Sequence, residues 1–223
     1  MSKKYKTICI IPARGGSKGL KNKNIQKVNG IPLIAYPIKA ALKSKVCDMI
    51  FVSTDSKEIA NTAKKFGAFV PFLRPKKFAK DRTTTEATLK NALHDIEKYT
   101  NQKYDICVFL TSNNIFRDYR WIITAVNNLK NDSSIDSSFS VHDMYKHFWH
   151  YDNKKLKKVL PWMKSYTSRQ IAPKLYREDT SLACATRSKF WRSGKRIGKN
   201  VKLIINDISF TSIDIHNKSD LDF

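Results

Sequence analysis

The sequence predicts an α/β protein built around a mostly parallel sheet. Three observations carry this. Short unbroken apolar runs, among them Ile8–Ile11, Met49–Val52 and Ile106–Leu110, suit strands buried on both faces. Between them lie stretches whose apolar residues recur at helical spacing, the pattern of βαβ units. The chain has 223 residues, 41% of them hydrophobic, enough for the core of one α/β domain, and it is read as a single domain over residues 1–223.

The elements follow in order. Thr7–Ile11 reads as the first strand. Leu33–Lys45 carries Leu33, Ile34, Tyr36, Ala40, Ala41 and Leu42 at near-helical spacing, with Pro37 tolerated in the first turn. Met49–Val52 is a strand. Ser56–Phe66 is a helix with Ser56 as its N-cap and Gly67 just past its end. Ala68–Leu73 reads as a short strand, Thr84–Tyr99 as a helix and Ile106–Leu110 as a buried strand. Tyr119–Lys130 reads as a helix and Ser138–Val141 as a strand. Residues 142–176 break this rhythm with His142, Tyr145, His147, Phe148, Trp149, His150, Tyr151, Trp162 and Tyr166. The stretch reads either as an interaction surface, where aromatics are favoured, or as packing under a long loop.

Composition narrows the classes. The longest apolar runs are far too short to cross a bilayer, and Met1–Lys6 has no apolar signal region, so a cytoplasmic protein with no membrane partner is expected. The four cysteines have neither disulfide nor zinc spacing; Cys9 and Cys107 sit inside apolar runs and read as small hydrophobes. The formal net charge of +23 would draw anionic ligands. No arginine-rich arm or aromatic-interleaved basic stripe marks a nucleic-acid reader, and none is expected as partner. The lysine-dense stretches Lys154–Lys158 and Lys189–Lys202 read as solvated faces.

The most informative segment runs from Ile8 to Asn24. The first strand breaks at Pro12 into a loop holding Gly15, Gly16 and Gly19 together with Arg14, Lys18 and Lys23. Such a loop presents backbone N–H groups to phosphate oxygens, and its cations add charge at the same place. The order is neither that of a P-loop nor that of a dinucleotide-binding turn. A polyphosphate, most simply a nucleoside triphosphate, is the expected ligand. The loop, Asp55, Arg74 and Thr111–Ser112 all follow strands of the reading above, so they are expected on one rim of the sheet.

Read whole, Ile11-Pro12-Ala13-Arg14-Gly15-Gly16-Ser17-Lys18-Gly19 with Lys23-Asn24 resembles the nucleotide-binding signature of the acylneuraminate cytidylyltransferase family. Asn29–Ile34, Val52–Asp55, Leu73-Arg74-Pro75, Asp81 and Thr83–Thr85 continue the likeness, and Arg169-Gln170, Tyr176–Glu178 and Ser212–Asp214 extend it toward the carboxyl end. The resemblance implies a three-layer Rossmann-like nucleotidyltransferase fold in which residues 142–176 form a small dimerisation extension that helps build the sugar site of a homodimer. It implies a CTP-dependent enzyme, a cytidylyltransferase that joins CMP to the anomeric hydroxyl of a sialic-acid-like ulosonic acid and releases pyrophosphate. Phosphoryl transfer of this kind needs alignment and charge neutralisation more than a covalent nucleophile.

Residue by residue, the resemblance assigns Ala13, Arg14, Gly15, Gly16, Ser17, Lys18, Lys23, Asn24, Arg74, Thr83 and Thr85 to the nucleotide. It assigns Thr111, Ser112, Arg169 and Arg177 to the acidic sugar, where arginine forks suit a carboxylate. Arg14, Lys18, Lys23 and Arg169 would neutralise the reacting groups. Asp214 matches one of two carboxylates that hold Mg2+, or Mn2+, in the family; the second position is His216, a better ligand for softer metals. Two further departures fall on the sugar side. The turn Phe109–Asn113 lacks the family's glutamine and prolines, and Arg177–Ser181 lacks its glycine. The alternative reading is a homologue that binds nucleotide without turnover and serves as a regulatory or scaffold subunit.

Overall fold

The computed structural model describes residues 5–17, 19–164, 168, 170–206 and 208–221. Lys18 and Arg169 lie outside the described residues.

Strand β1 (Thr7–Pro12) is followed by the glycine loop, a one-turn 3-10 helix (Lys23–Ile25) and a hairpin of β2 (Lys27–Val28) and β3 (Ile31–Pro32). Next come α1 (Ala35–Ser44), β4 (Met49–Ser53), α2 (Lys57–Lys65), α3 (Thr85–Thr100), β5 (Ile106–Phe109), α4 (Tyr119–Asn131) and β6 (Ser137–Met144). The remainder holds the hairpin β7 (Trp149–Asp152) and β8 (Lys155–Lys158), then β9 (Leu175–Glu178), β10 (Cys184–Arg187), α5 (Ser188–Arg192) and β11 (Val201–Asn206).

The main sheet has the order β11-β6-β10-β5-β1-β4, with β9 added to β6 beyond β10. Pairs β1/β4, β1/β5 and β6/β11 are parallel; β10 runs antiparallel to both β5 and β6, and β9 antiparallel to β6. The strand alternation sorts the core into two layers. Cys9 and Ile11 point toward α1, α2 and α4, where Ile38, Ile59, Ala63, Ile122 and Leu129 meet them. Ile8 and Ile10 point the other way, toward Leu89, Leu93 and Ile96 of α3 and Trp191 of α5. Helix, sheet and helix therefore make three layers, as expected. Cys9 and Cys107 are buried in these layers, where burial pushes both thiols well above their usual range.

The helix ends follow their caps. Ser56 Oγ accepts from Ile59 N, Thr84 Oγ1 from Ala87 N and Asp118 Oδ1 from Arg120 N. Gly67 closes α2 with φ +93°, a conformation that glycine adopts without cost.

Three expectations need correction. Ala68–Leu73 is not a strand but a single bridge, Phe51 to Phe69, because Pro71 offers no N–H to continue a ladder. The first helix begins at Ala35, after Leu33 and Ile34 have gone into the core from the chain entering it. The stretch Lys189–Lys202 is not simply a solvated face: it supplies α5, with Trp191 buried, and the start of β11.

Candidate functional site

The carboxyl ends of β1 and β5 open onto one cleft of about 540 Å³, and β4 ends on the same side of the sheet. Parallel neighbours end on the same side of the sheet, so the loops leaving them must share that rim. From the glycine loop the cleft is lined by Ala13, Arg14, Ser17, Gly19, Lys23 and Asn24. Arg74, Thr83, Thr85, Thr111, Ser112 and His216 line it as well. Gly15 sits behind, its N–H donating to Asp55 Oδ1 at 2.9 Å, and Gly16 faces open space.

Arg14, Lys23 and Asn24 are each held by a contact far along the chain. Arg14 Nη1 donates to Asp81 Oδ1 at 2.7 Å, closing the glycine loop onto the segment before α3. Asn24 is buried; its Nδ2 donates to Arg14 O at 2.9 Å and its Oδ1 accepts from Ser112 Oγ. Asn24 and Ser112 thus brace the loop against the end of β5. Lys23 Nζ donates to Asn113 Oδ1 at 2.6 Å and to Ile215 O at 3.2 Å. Gly19 lies against the backbone of His216: a Cβ there would stand 2.5 Å from the His216 carbonyl oxygen. Only glycine permits that approach.

Arg74 is the most buried cation of the cleft, its side chain 4% exposed. Its N–H donates to Thr54 O at 2.7 Å, and its guanidinium lies 3.9 Å from Asp55 Oδ1. Arg74 Nε and Thr111 Oγ1, both on cleft-lining residues, are buried without a partner. Burial pulls the Arg74 pKa below its usual value, opposed by Asp55. Burial likewise lowers Lys23, opposed by Asp214 and reinforced by the charge of Arg14. Thr83 hydrogen-bonds Lys77 O at 3.3 Å, and Thr85 opens α3, whose first turn faces the cleft.

The acceptor-side candidates are more dispersed. Arg177 lies on β9 opposite His142, with Nη2 3.4 Å from Asp179 Oδ2. Asp179 is buried and also meets His142 Nε2 at 3.1 Å and Ser181 Oγ. Asp214 Oδ1 is buried without a partner, and its other oxygen lies 3.9 Å from His216 Nε2. Burial, and then the charge of Asp179, raise the Asp214 pKa. His216 reaches the cleft wall, whereas Arg177 and Asp214 do not line it. Among the described residues no group of three or more His, Cys, Asp or Glu is arranged as a metal site.

Two departures in the sequence acquire structural roles. Asn113, standing where the resembled turn has proline, is the partner of Lys23 and accepts at its carbonyl from Ile215 N at 2.8 Å. The turn after Arg177 needs no glycine, since Thr180 does not adopt positive φ. Arg117 crosses between these turns, donating to Thr111 O at 2.7 Å, Ser181 O at 2.6 Å and Leu182 O at 2.7 Å. Burial draws its pKa down to about 10. Phe78, Lys80, Thr88 and Asn113 also line the cleft. Sequence reasoning missed them because none belongs to a phosphate-binding pattern. The placement of Lys80 just before Asp81 and the helix start was the one available signal.

A family model described as cytidylyltransferase matches residues 8–205, and the chain belongs to that family. It is 35% identical over 219 residues to post-translational flagellin modification protein B of Campylobacter coli, covering 97% of this chain and 91% of that protein. It is 36% identical over 231 residues to CMP-N,N'-diacetyllegionaminic acid synthase of Campylobacter jejuni, with the same coverage of 97% and 91%. Among solved structures, CMP:2-keto-3-deoxy-manno-octonic acid synthetase complexed with CTP shares the fold, with a TM-score of 0.70 at 14% identity over 97% of this chain and 95% of that one.

Proposed function

We propose that this cytidylyltransferase transfers CMP from CTP to the anomeric hydroxyl of a sialic-acid-like ulosonic acid, releasing pyrophosphate. The observation that carries the reading is one cleft in which glycine-loop residues, Arg14 and Lys23 meet a buried Arg74 with an unpaired nitrogen. Loop amides and two cations suit a triphosphate; Arg74, Thr83 and Thr85 suit the nucleoside end. The full-length relative that acts as CMP-N,N'-diacetyllegionaminic acid synthase supports a nine-carbon acidic acceptor. Lys18 and Arg169 belong to this proposal from their sequence positions.

In the reaction, the acceptor hydroxyl attacks the α-phosphorus and pyrophosphate departs. Arg14 and Lys23 bind and orient the triphosphate and counter the charge that grows on the leaving group. Thr111, Ser112 and Arg177 serve the acceptor end. Asp214 and His216 fit a divalent cation, because Asp214 has one buried oxygen without a partner and its other oxygen lies 3.9 Å from an imidazole nitrogen of His216. Such a cation, when bound, neutralises phosphate charge. An oxygen and nitrogen donor pair suits Mn2+ better than Mg2+.

The working unit of the proposal is a homodimer formed through the 142–176 extension. Its support is apolar exposure concentrated there: Trp149 is 50% exposed, Tyr151 77% and Ile171 73%. Sedimentation of the purified chain decides between monomer and dimer. No helix among the described residues is long and apolar enough to cross a membrane.

The test of the activity is pyrophosphate release with each of the four nucleoside triphosphates, Mg2+ or Mn2+, and a panel of ulosonic acids. Release with CTP and a nine-carbon acid is expected. CTP binding without release for any acceptor would favour a non-catalytic subunit, a reading that the His216 position keeps in view.

A further inference from the structure

We infer that Arg196 is a positioning residue that sets the acceptor end of the site by tying the end of β9 to the first turn of α3 and to the Phe109 wall; the inference rests on the acceptor assignment of Arg177 above. Arg196 follows α5 and lies outside the cleft lining, yet it gathers partners from three separate segments. Its Nη2 donates to Glu178 Oε1 at 2.9 Å and its Nη1 to Thr180 Oγ1 at 2.7 Å. Its Nε lies 3.8 Å from Glu86 Oε1, in the first turn of α3. The guanidinium carbon stands 5.6 Å from the centre of the Phe109 ring, and Phe109 is a cleft wall.

The geometry makes this more than a surface ion pair. Glu178 and Thr180 flank Asp179, and alternation along the chain turns them to the opposite side from Arg177 and Asp179. Holding Glu178 and Thr180 therefore holds the strand end that presents Arg177, while Asp179 is drawn inward to His142. The Arg196 side chain is 24% exposed, and its backbone carbonyl accepts from the indole N–H of buried Trp191 at 3.0 Å. The fork is thus anchored from the core. A planar fork can serve two acceptors along its edge while its face lies over a ring, a geometry that the single ammonium of lysine does not reproduce. The triphosphate side, Arg14 and Lys23, has no contact with Arg196 in this network.

The experiment compares Arg196→Met, Arg196→Lys and Glu178→Gln with wild type in the full chain. CTP affinity is measured by calorimetry, acceptor KM by pyrophosphate release, and backbone mobility by hydrogen exchange. Arg196→Met is expected to raise acceptor KM roughly tenfold, the scale of one lost charge-assisted hydrogen bond, with CTP affinity within about twofold of wild type. Arg196→Lys should fall between the two, and Glu178→Gln should add little on top of Arg196→Met. Equal losses in CTP affinity and acceptor KM, or no change in either, overturn the inference. If wild type turns over no acceptor, the functional reading fails on its own. Exchange then decides the role of Arg196. Faster exchange at residues 175–182 with the glycine loop unchanged supports it, and uniform or absent change refutes it.

Discussion

Arg14 is paired with Asp81, and in the proposed reading CTP competes with that carboxylate for it, so replacing either residue is expected to give a different outcome. Arg14 and Asp81 have side chains 34% and 46% exposed. A pair this open contributes about 0.2–1 kcal/mol. A guanidinium on phosphate oxygens contributes about 1.5–3 kcal/mol. The difference, about 0.5–2.8 kcal/mol, corresponds to a loss of roughly 2- to 110-fold in CTP affinity for Arg14→Ala. Stability should change by less than about 1 kcal/mol, a melting shift within about 4 °C for a chain of this size. Asp81→Asn should act in the opposite direction, tightening CTP by up to about fivefold because Arg14 no longer has to leave a carboxylate. Isothermal calorimetry with CTP reads both. An Arg14→Ala protein that binds CTP within twofold of wild type would refute the placement of the triphosphate, and a tenfold weaker Asp81→Asn would show that Asp81 helps to bind the ligand rather than competing with it.

Three further outcomes follow from the same geometry. Lys23 has a lowered pKa from burial, so its charge is present well below that pKa and is lost, as pH rises, earlier than for an ordinary lysine. CTP affinity should fall on that alkaline limb, with proton uptake on binding there, since phosphate raises the pKa again; calorimetry in buffers of different ionisation enthalpy measures the uptake. Arg117→Met removes the donor to three carbonyls of the turns beside the cleft and should cost ~2–4 kcal/mol, or a melting point lower by about 5–12 °C, visible in a thermal scan. His216→Asp places a second carboxylate next to Asp214 and should shift metal preference from Mn2+ toward Mg2+ in titrations of CTP-bound protein; an unchanged preference would remove position 216 from the cation site.

The alternation of apolar runs and amphipathic stretches made most of the first half legible. Ser56, Thr84 and Gly67 end their helices where the residue types alone indicate, because capping is a local property. Beyond residue 142 local signals weaken. Strands β9 and β11 are short or exposed, and β10 is found only as a filler between β5 and β6, so none carries a period that marks it. The turn residues of the acceptor side misled for another reason. Asn113 and Thr180 look like losses beside a family pattern, yet each has a long-range partner, Lys23 and Arg196, that no local rule anticipates.

By itself the sequence determined the layered α/β class and the glycine and cation content of the loop after β1, on which the proposed triphosphate site rests. These depend on neighbours within a few positions, where periodicity and glycine content act directly. Tertiary structure alone decided which cation meets which oxygen. Arg14 meets Asp81 across 67 positions, and Lys23 meets the backbone of Ile215 across 192. Those pairings arise because parallel strands deliver distant loops to one rim, and the electrostatics of the cleft is a property of that meeting rather than of any segment.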